Sequence, residues 1–271
     1  MSIRDRPGVA RPRTATSGVA TIQAAMGMLT RIPVGATDDD ETGAAAYGLV
    51  GALVGAIAAI PLALLAGAAP TLAAIVAVGT LAIVSGGLHL DGLADTADAL
   101  LAPDRIRAEA ARKDPAVGSG GVVALVLVLA AQVAALASVV TTGGIAAGVV
   151  TCIATGAASR MLPVVVAWAG PRRGPAAGLG AWFIARVGPI DVAAAVLTTA
   201  AVTAVGAALA GSVAVPVAVA LGSLIGLAVA FGLVRARGQI DGDLLGATVE
   251  VGFAAIVGAM SVALNVAWPS L

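Results

Sequence analysis

The run TLAAIVAVGTLAIVSGGLHLDGLADTADAL, Thr71 to Leu100, decides how this chain is read. Thr71 to Leu88 carries no charge, and an uncharged apolar run of that length is a candidate membrane helix. Asp91, Asp95 and Asp98 follow at once, with His89 just before them. On a helix the acids fall at successive offsets of four and three and share one face. Three aligned carboxylates repel one another, so either a positive group or water must hold that face.

The surrounding chain explains which solvent the apolar run meets. Of 271 residues, 59% are hydrophobic and only 11% are charged, and mean hydropathy is +1.03. Soluble domains are about a quarter charged, and one soluble core could not hide this much apolar surface. The sequence therefore predicts an all-α, polytopic membrane helix bundle. The 15 basic and 15 acidic residues cancel, so no net field favours nucleic acid. One histidine and one cysteine, Cys152, argue against a His/Cys zinc site. The 35 glycines predict close helix packing through small residues; a compositionally biased coding sequence explains the same count.

Working outward, the N-terminus carries Arg4, Arg6, Arg11 and Arg13 with no secretory core behind them. Residues 1–18 read as a basic disordered segment and 19–271 as a single integral membrane catalytic domain. Val19 to Ile32 is too short to span and reads as an interfacial or buried half-helix. About seven transmembrane helices follow, near 43–66, 71–88, 120–140, 144–167, 190–210, 213–234 and 250–268. The connections after the first, third and fifth are short and uncharged. Those after the second, fourth and sixth hold Arg105, Arg107, Arg112, Lys113, Arg172, Arg173, Arg186, Arg235 and Arg237. The positive-inside rule puts those loops and the N-terminus in the cytoplasm. The acids fall on the same side, so the chemistry is expected there.

Asp91, Asp95 and Asp98 are either a solvated helix end or a carboxylate cluster for Mg²⁺, which takes oxygen ligands and shares its shell with substrate phosphates. Gly92 leaves room for a ligand beside the backbone. His89 lies two residues from Asp91, on the opposite face of a straight helix, and is either a hydrogen-bonded structural residue or a base. Lys113 and Asp114 lead into a glycine turn that could offer N–H groups to phosphate. Arg172 and Arg173 suit phosphate recognition and equally serve as a topology signal. Arg160, inside an apolar run, is either functional or snorkels to the interface. Asp243 and Glu250 are two helical turns apart, face the same way, and form a second acidic patch near Asp241. Two such patches with basic residues suit transfer of a phosphate-linked group: metal-held charge on a pyrophosphate, an attacking alcohol, and one Asp taking its proton.

Several of these elements together resemble the cobalamin synthase family, the adenosylcobinamide-GDP ribazoletransferases. His89, Asp91, Gly92, Ala94, Asp95 and Asp98 match its Leu-His-Glu/Leu-Asp-Gly-Leu/Val-Ala-Asp-x-x-Asp hallmark. Leu29 to Val34 is similar to its N-terminal Leu-Thr-Arg-Ile-Pro. Lys113, Asp114 and Gly118 match Lys-Asp-x-x-x-Gly, and Gly178 to Gly180 match Gly-Leu-Gly. Gly242, Asp243, Leu245, Gly246, Ala247 and Glu250 match its ending. Pro115 and Ala116 stand where the family commonly has Ser-Arg, which puts a phosphate contact from that turn in doubt.

The resemblance implies a Mg²⁺-dependent enzyme of the bacterial cell membrane that joins adenosylcobinamide-GDP to α-ribazole, or its 5′-phosphate, and releases GMP. It implies Asp91, Asp95 and His89 as catalytic residues and Asp91, Asp95, Asp98, Asp243 and Glu250 as metal ligands. Gly92, Lys113, Asp114, Arg160, Arg172 and Arg173 would bind substrate. A monomer and a homo-oligomer both stay open. A CDP-alcohol phosphotransferase is the nearest rival, but its Asp-Gly-x-x-Ala-Arg continuation is missing after Asp91-Gly92. A cation-coupled transporter would hold its acids near the midplane, whereas these cluster at one interface.

Overall fold

Ser17 opens the first helix by accepting a hydrogen bond from the Ala20 N–H at 3.2 Å, the usual means of satisfying a helix-start donor. The computed structural model describes residues 17–35, 40–102, 116–171 and 178–266. The basic segment before residue 17, Asp38 and Asp39, Lys113 and Asp114, and Arg172 and Arg173 lie outside those residues. Among the described residues the chain is all-α, with no strand.

The helices are α1 (Gly18–Leu29), α2 (Tyr47–Leu65), α3 (Pro70–Ser85), α4 (Leu88–Leu101), α5 (Ser119–Ala169), α6 (Leu179–Arg186), α7 (Pro189–Ala210), α8 (Ala214–Arg237) and α9 (Gly242–Asn265). A short 3₁₀ turn, Ala44–Ala46, leads into α2. Five helical stretches are long and apolar enough to cross a membrane, and six if α3 and α4 count as one broken span. Large apolar side chains such as Leu64, Ile83, Ile190 and Leu209 point outward. In water such a surface would be an aggregation hazard; in lipid it is the face a spanning helix needs. The protein is a multi-pass membrane protein.

Two of the expected spans take a different form, at 71–88 and at 250–268, and two more join at a sharp break. The run at 71–88 ends three residues early, because Gly86 and Gly87 both adopt the left-handed region, at φ 63° and 74°. A side chain is disfavoured there, and two such residues in a row turn the chain sharply. Helix α4 leaves α3 at 92°. With 16 residues, α3 is roughly 24 Å long at about 1.5 Å per residue, shorter than the roughly 30 Å hydrocarbon core.

The runs at 120–140 and 144–167 are the two helical arms of α5, whose 51 residues are not one straight helix. It breaks at Gly144, where φ is 80° and ψ is −179°. Gln132, before the break, and Arg160, beyond it, line the same small cavity with Glu250. On a straight helix they would stand roughly 42 Å apart, so 119–143 and 145–169 fold back on each other as a hairpin.

The last run begins at Gly242 rather than near 250. Asp241 caps it, accepting from the Leu244 N–H at 3.0 Å, so Asp243 and Glu250 lie on the helix itself.

Packing follows the small residues. A Cβ on Gly156 would stand 2.5 Å from the Gly51 carbonyl oxygen and 3.0 Å from the Gly55 Cα, so α2 and the second arm of α5 touch backbone to backbone. Without a hydrophobic drive between helices in lipid, such close approach is what holds them together. Helix α9 packs on α4, α5 and α8, which makes it the element that carries the site into the bundle.

Candidate active site

Gly92 and Gly246 bring α4 and α9 into contact at one end of the bundle. A Cβ on Gly92 would lie 2.6 Å from the Asp243 carbonyl oxygen, too close for any side chain. Gly246 faces back, its Cβ position 3.3 Å from the His89 Cα and 3.4 Å from the Gly92 Cα. Gly180, on α6, packs on the backbone of Asp241 and Gly242 in the same way. Three separated sequence elements, Asp91-Gly92, Gly178 to Gly180 and Gly242 to Gly246, thereby meet in space.

Between them is a cavity of about 340 Å³. The first turns of α4, α6 and α9 all line it. Neither α4 nor α6 has a side-chain cap at its start, where Gly87 and Gly178 stand. First-turn N–H groups without a helical partner, with the positive end of the helix dipole, form a natural anion site. Three of them on one cavity make a setting for a phosphate or pyrophosphate. Asp91 and Asp243 lie within those first turns and also line the cavity. His89 and Asp241, the cap of α9, line it too, and most of the remaining wall is apolar: Met28 and Leu29 from α1, Tyr47 from α2, Phe183 from α6, Leu245 and Val249 from α9. Tyr47 and Phe183 stack, with ring centroids 5.3 Å apart and planes at 27°.

His89 lines this cavity together with Asp91, although an offset of two places them on opposite faces of a straight helix. The cavity wraps around the first turn of α4, so the offset does not separate them. His89 is 4% exposed and its Nδ1 has no hydrogen-bond partner among the described residues. A buried polar atom left so is uncommon and calls for a reason. Asp95 stands one turn along α4 from Asp91, half-buried and outside the lining.

Other expected ligands stand apart from the cavity. Asp98 accepts from the Gly118 N–H at 2.7 Å and the Gly121 N–H at 2.9 Å, so its carboxylate caps the start of α5. Glu250 is buried within the bundle and accepts from Gln132 Nε2 at 2.9 Å. It shares a small separate cavity with Arg160, and their opposite charges attract. Arg160 does not snorkel: it is 2% exposed, donates to Ser159 Oγ at 2.9 Å, and lies 5.9 Å from the Phe253 ring centroid. The extra helical turns at the start of α9 draw Glu250 inside the membrane span, where only a buried partner can hold its charge. Among the described residues no three His, Cys, Asp or Glu side chains are grouped to hold a metal ion. The expected five-carboxylate set is therefore not assembled there.

Two polar contacts, one at the site and one beside Glu250, went unassigned from sequence. Arg237 donates to Asp241 through Nη2, at 2.6 Å, and Nη1, at 3.3 Å, and to Thr96 Oγ1 at 3.2 Å. The pair is buried, with side chains 7% and 1% exposed, and ties α4, α8 and the start of α9 together at the cavity. Its i,i+4 spacing was the available signal. Gln132 is the other; an amide alone in an apolar run marks an intramembrane polar contact. Nearby, Arg186 pairs with Asp40 at 3.0 Å and stacks over Trp182 at 4.9 Å, fastening α6 to the segment before α2.

The family profile described as "Cobalamin-5-phosphate synthase" matches residues 21–261. The chain is 33% identical over 242 residues to the adenosylcobinamide-GDP ribazoletransferase of a Nocardioides species, covering 85% of this chain and 93% of that one. It is 38% identical over 135 residues to the protein of that name from Allorhizobium ampelinum, covering 47% and 52%. With the one from Thiobacillus denitrificans it shares 44% over 119 residues, covering 41% and 48%. The chain spans about half the length of these last two relatives. No solved structure matches it.

Proposed function

The chain belongs to the cobalamin-5-phosphate synthase family, and from that premise we propose that it is an adenosylcobinamide-GDP ribazoletransferase. It would join adenosylcobinamide-GDP to α-ribazole, or α-ribazole 5′-phosphate, and release GMP. The observation that carries this reading is the meeting of three helix first turns and two first-turn carboxylates, Asp91 and Asp243, on one cavity. Helix starts favour an anionic phosphate, whereas carboxylates repel it. A divalent cation between them reconciles the two.

The donor set suits Mg²⁺, which is commonly held by one or two carboxylates plus substrate phosphates and water rather than by a full protein cage. Asp91 or Asp243 would hold it, and it would supply positive charge to a pyrophosphate and its leaving group. The remaining work falls to the chain. The first-turn N–H groups of α4, α6 and α9 bind and orient the phosphates. A ribazole hydroxyl forms a new bond to the corrinoid-linked phosphorus. The bond from that phosphorus to the bridging oxygen breaks, and GMP leaves with the electron pair. Whichever of Asp91 and Asp243 does not hold the cation accepts the hydroxyl proton. Gly92 lets the backbone of α9 come close to α4, which holds Asp243 at the cavity with Asp91.

We further propose that the chain crosses a bacterial inner membrane seven times. The two arms of α5 would count separately, and α3 with α4 would form one broken span. The site and the N-terminus would face the cytoplasm, in keeping with the distribution of Lys and Arg. The test is reconstitution: purified protein in liposomes, supplied with adenosylcobinamide-GDP, α-ribazole and Mg²⁺, is expected to yield a cobalamin and GMP in equal amounts. Folded protein that forms neither product overturns the reading.

A further inference from the structure

The cavity is lined by two kinds of group, and its size sorts the two substrates. The helix first turns bring Asp91 and Asp243; Met28, Leu29, Tyr47, Phe183, Leu245 and Val249 supply a largely apolar wall. At about 340 Å³ it lies near the lower end of the roughly 300–1,000 Å³ range of small-molecule sites. That is room for one bicyclic base and its sugar. A corrin macrocycle overfills it. Guanine fits by volume but carries donors and acceptors on every edge, and burying these against an apolar wall without partners is unfavourable. A dimethylbenzimidazole presents two methyl groups and a flat π face instead, and Tyr47 with Phe183 supplies an aromatic surface on the same wall.

Resting on the reading above, we infer that this cavity is the α-ribazole subsite. The base lies among Met28, Leu29, Tyr47 and Phe183, and the ribose faces Asp91 and Asp243. The cobinamide-GDP corrin stays outside the cavity, and only its phosphates reach the helix starts. In this arrangement the nucleoside hydroxyl emerges where the phosphorus arrives, which orients the attack. Selection of the base would follow from the same wall: an α-riboside of adenine, polar along its edge, is discriminated against.

The test fills the apolar part of the lining without touching the carboxylates or the helix first turns. Met28, on α1, lines the cavity and is half-buried. In liposomes, Met28→Trp is expected to raise KM for α-ribazole at least about tenfold while KM for adenosylcobinamide-GDP stays within about twofold. If Met28→Trp does not assemble, Met28→Phe is used for the same comparison. Equilibrium dialysis of labelled α-ribazole with wild-type protein, without the activated corrinoid, is expected to show saturable binding that the filling variant weakens. Wild-type turnover with an unchanged α-ribazole KM in the variants, or a rise in the corrinoid KM instead, overturns the subsite and leaves the enzyme reading intact. No wild-type turnover at all overturns both.

Discussion

Gln132 donates through one nitrogen to two oxygens of Glu250, the carboxylate at 2.9 Å and the backbone carbonyl at 3.1 Å. The residues are 118 positions apart, and the bond joins the first arm of α5 to α9 in the membrane interior. With Arg160 on the second arm, three segments are held around one buried carboxylate. Glu250 therefore fixes the height of α9, and with it the position of Asp243 against Gly92.

Arg160→Met leaves the Glu250 charge buried without its counter-ion and is expected to destabilise the protein by about 3–5 kcal/mol, measured by thermal unfolding in detergent. Glu250→Gln, which keeps an acceptor for Gln132, is expected to be milder. In the surviving Glu250→Gln protein the Mg²⁺ concentration for half-maximal turnover stays within about twofold of wild type. A large rise would return Glu250 to the metal.

Asp98→Ala removes the acceptor for the Gly118 and Gly121 N–H groups, and a loss of about 1–2 kcal/mol is expected. Asp98→Asn retains one acceptor oxygen and loses less. Thermal unfolding separates the two, and Mg²⁺ dependence is unchanged in both. A tenfold weaker Mg²⁺ response on the order of that for Asp91→Asn would make Asp98 a ligand after all.

Asp91→Asn and Asp243→Asn keep the side-chain shape and are each expected to lower turnover by at least about 10²-fold, with unfolding temperature near that of wild type. Single-turnover release of GMP from liposomes checks this. Full activity in both removes the two carboxylates from the chemistry.

Arg237→Lys replaces a two-pronged donor with a point charge, which cannot make both Asp241 bonds and the Thr96 bond in the same plane. Lower stability by about 1–3 kcal/mol is expected. Turnover falls further than Gln132→Leu makes it fall, because Arg237 holds the start of α9 at the cavity itself. Matching losses of turnover in the two variants would remove that distinction.

Gly92→Ala places a methyl against the Asp243 carbonyl, so α4 and α9 must separate. Turnover is expected to fall by about 10²-fold, while Gly79→Ala, which meets nothing within 4 Å, leaves activity intact. Equal effects of the two substitutions would show that close approach at Gly92 is not required.

Composition and apolar run length were enough to fix the solvent, the all-α class and the approximate positions of the helices, because a chain in lipid must satisfy its backbone within each segment. The acidic elements and the glycine elements were legible for the same local reason: each departs from an otherwise apolar chain. What those elements touch was not. Asp91, Asp98 and Glu250 read as one kind of residue along the chain, yet one lines a cavity, one caps a helix and one is buried beside an arginine. Those fates follow from the turn at Gly86 and Gly87, the break at Gly144 and the early start of α9 at Asp241. Each is a small local event that decides which distant backbone a side chain meets. A carboxylate's role depends on its partners, and those partners come together only when the helices pack.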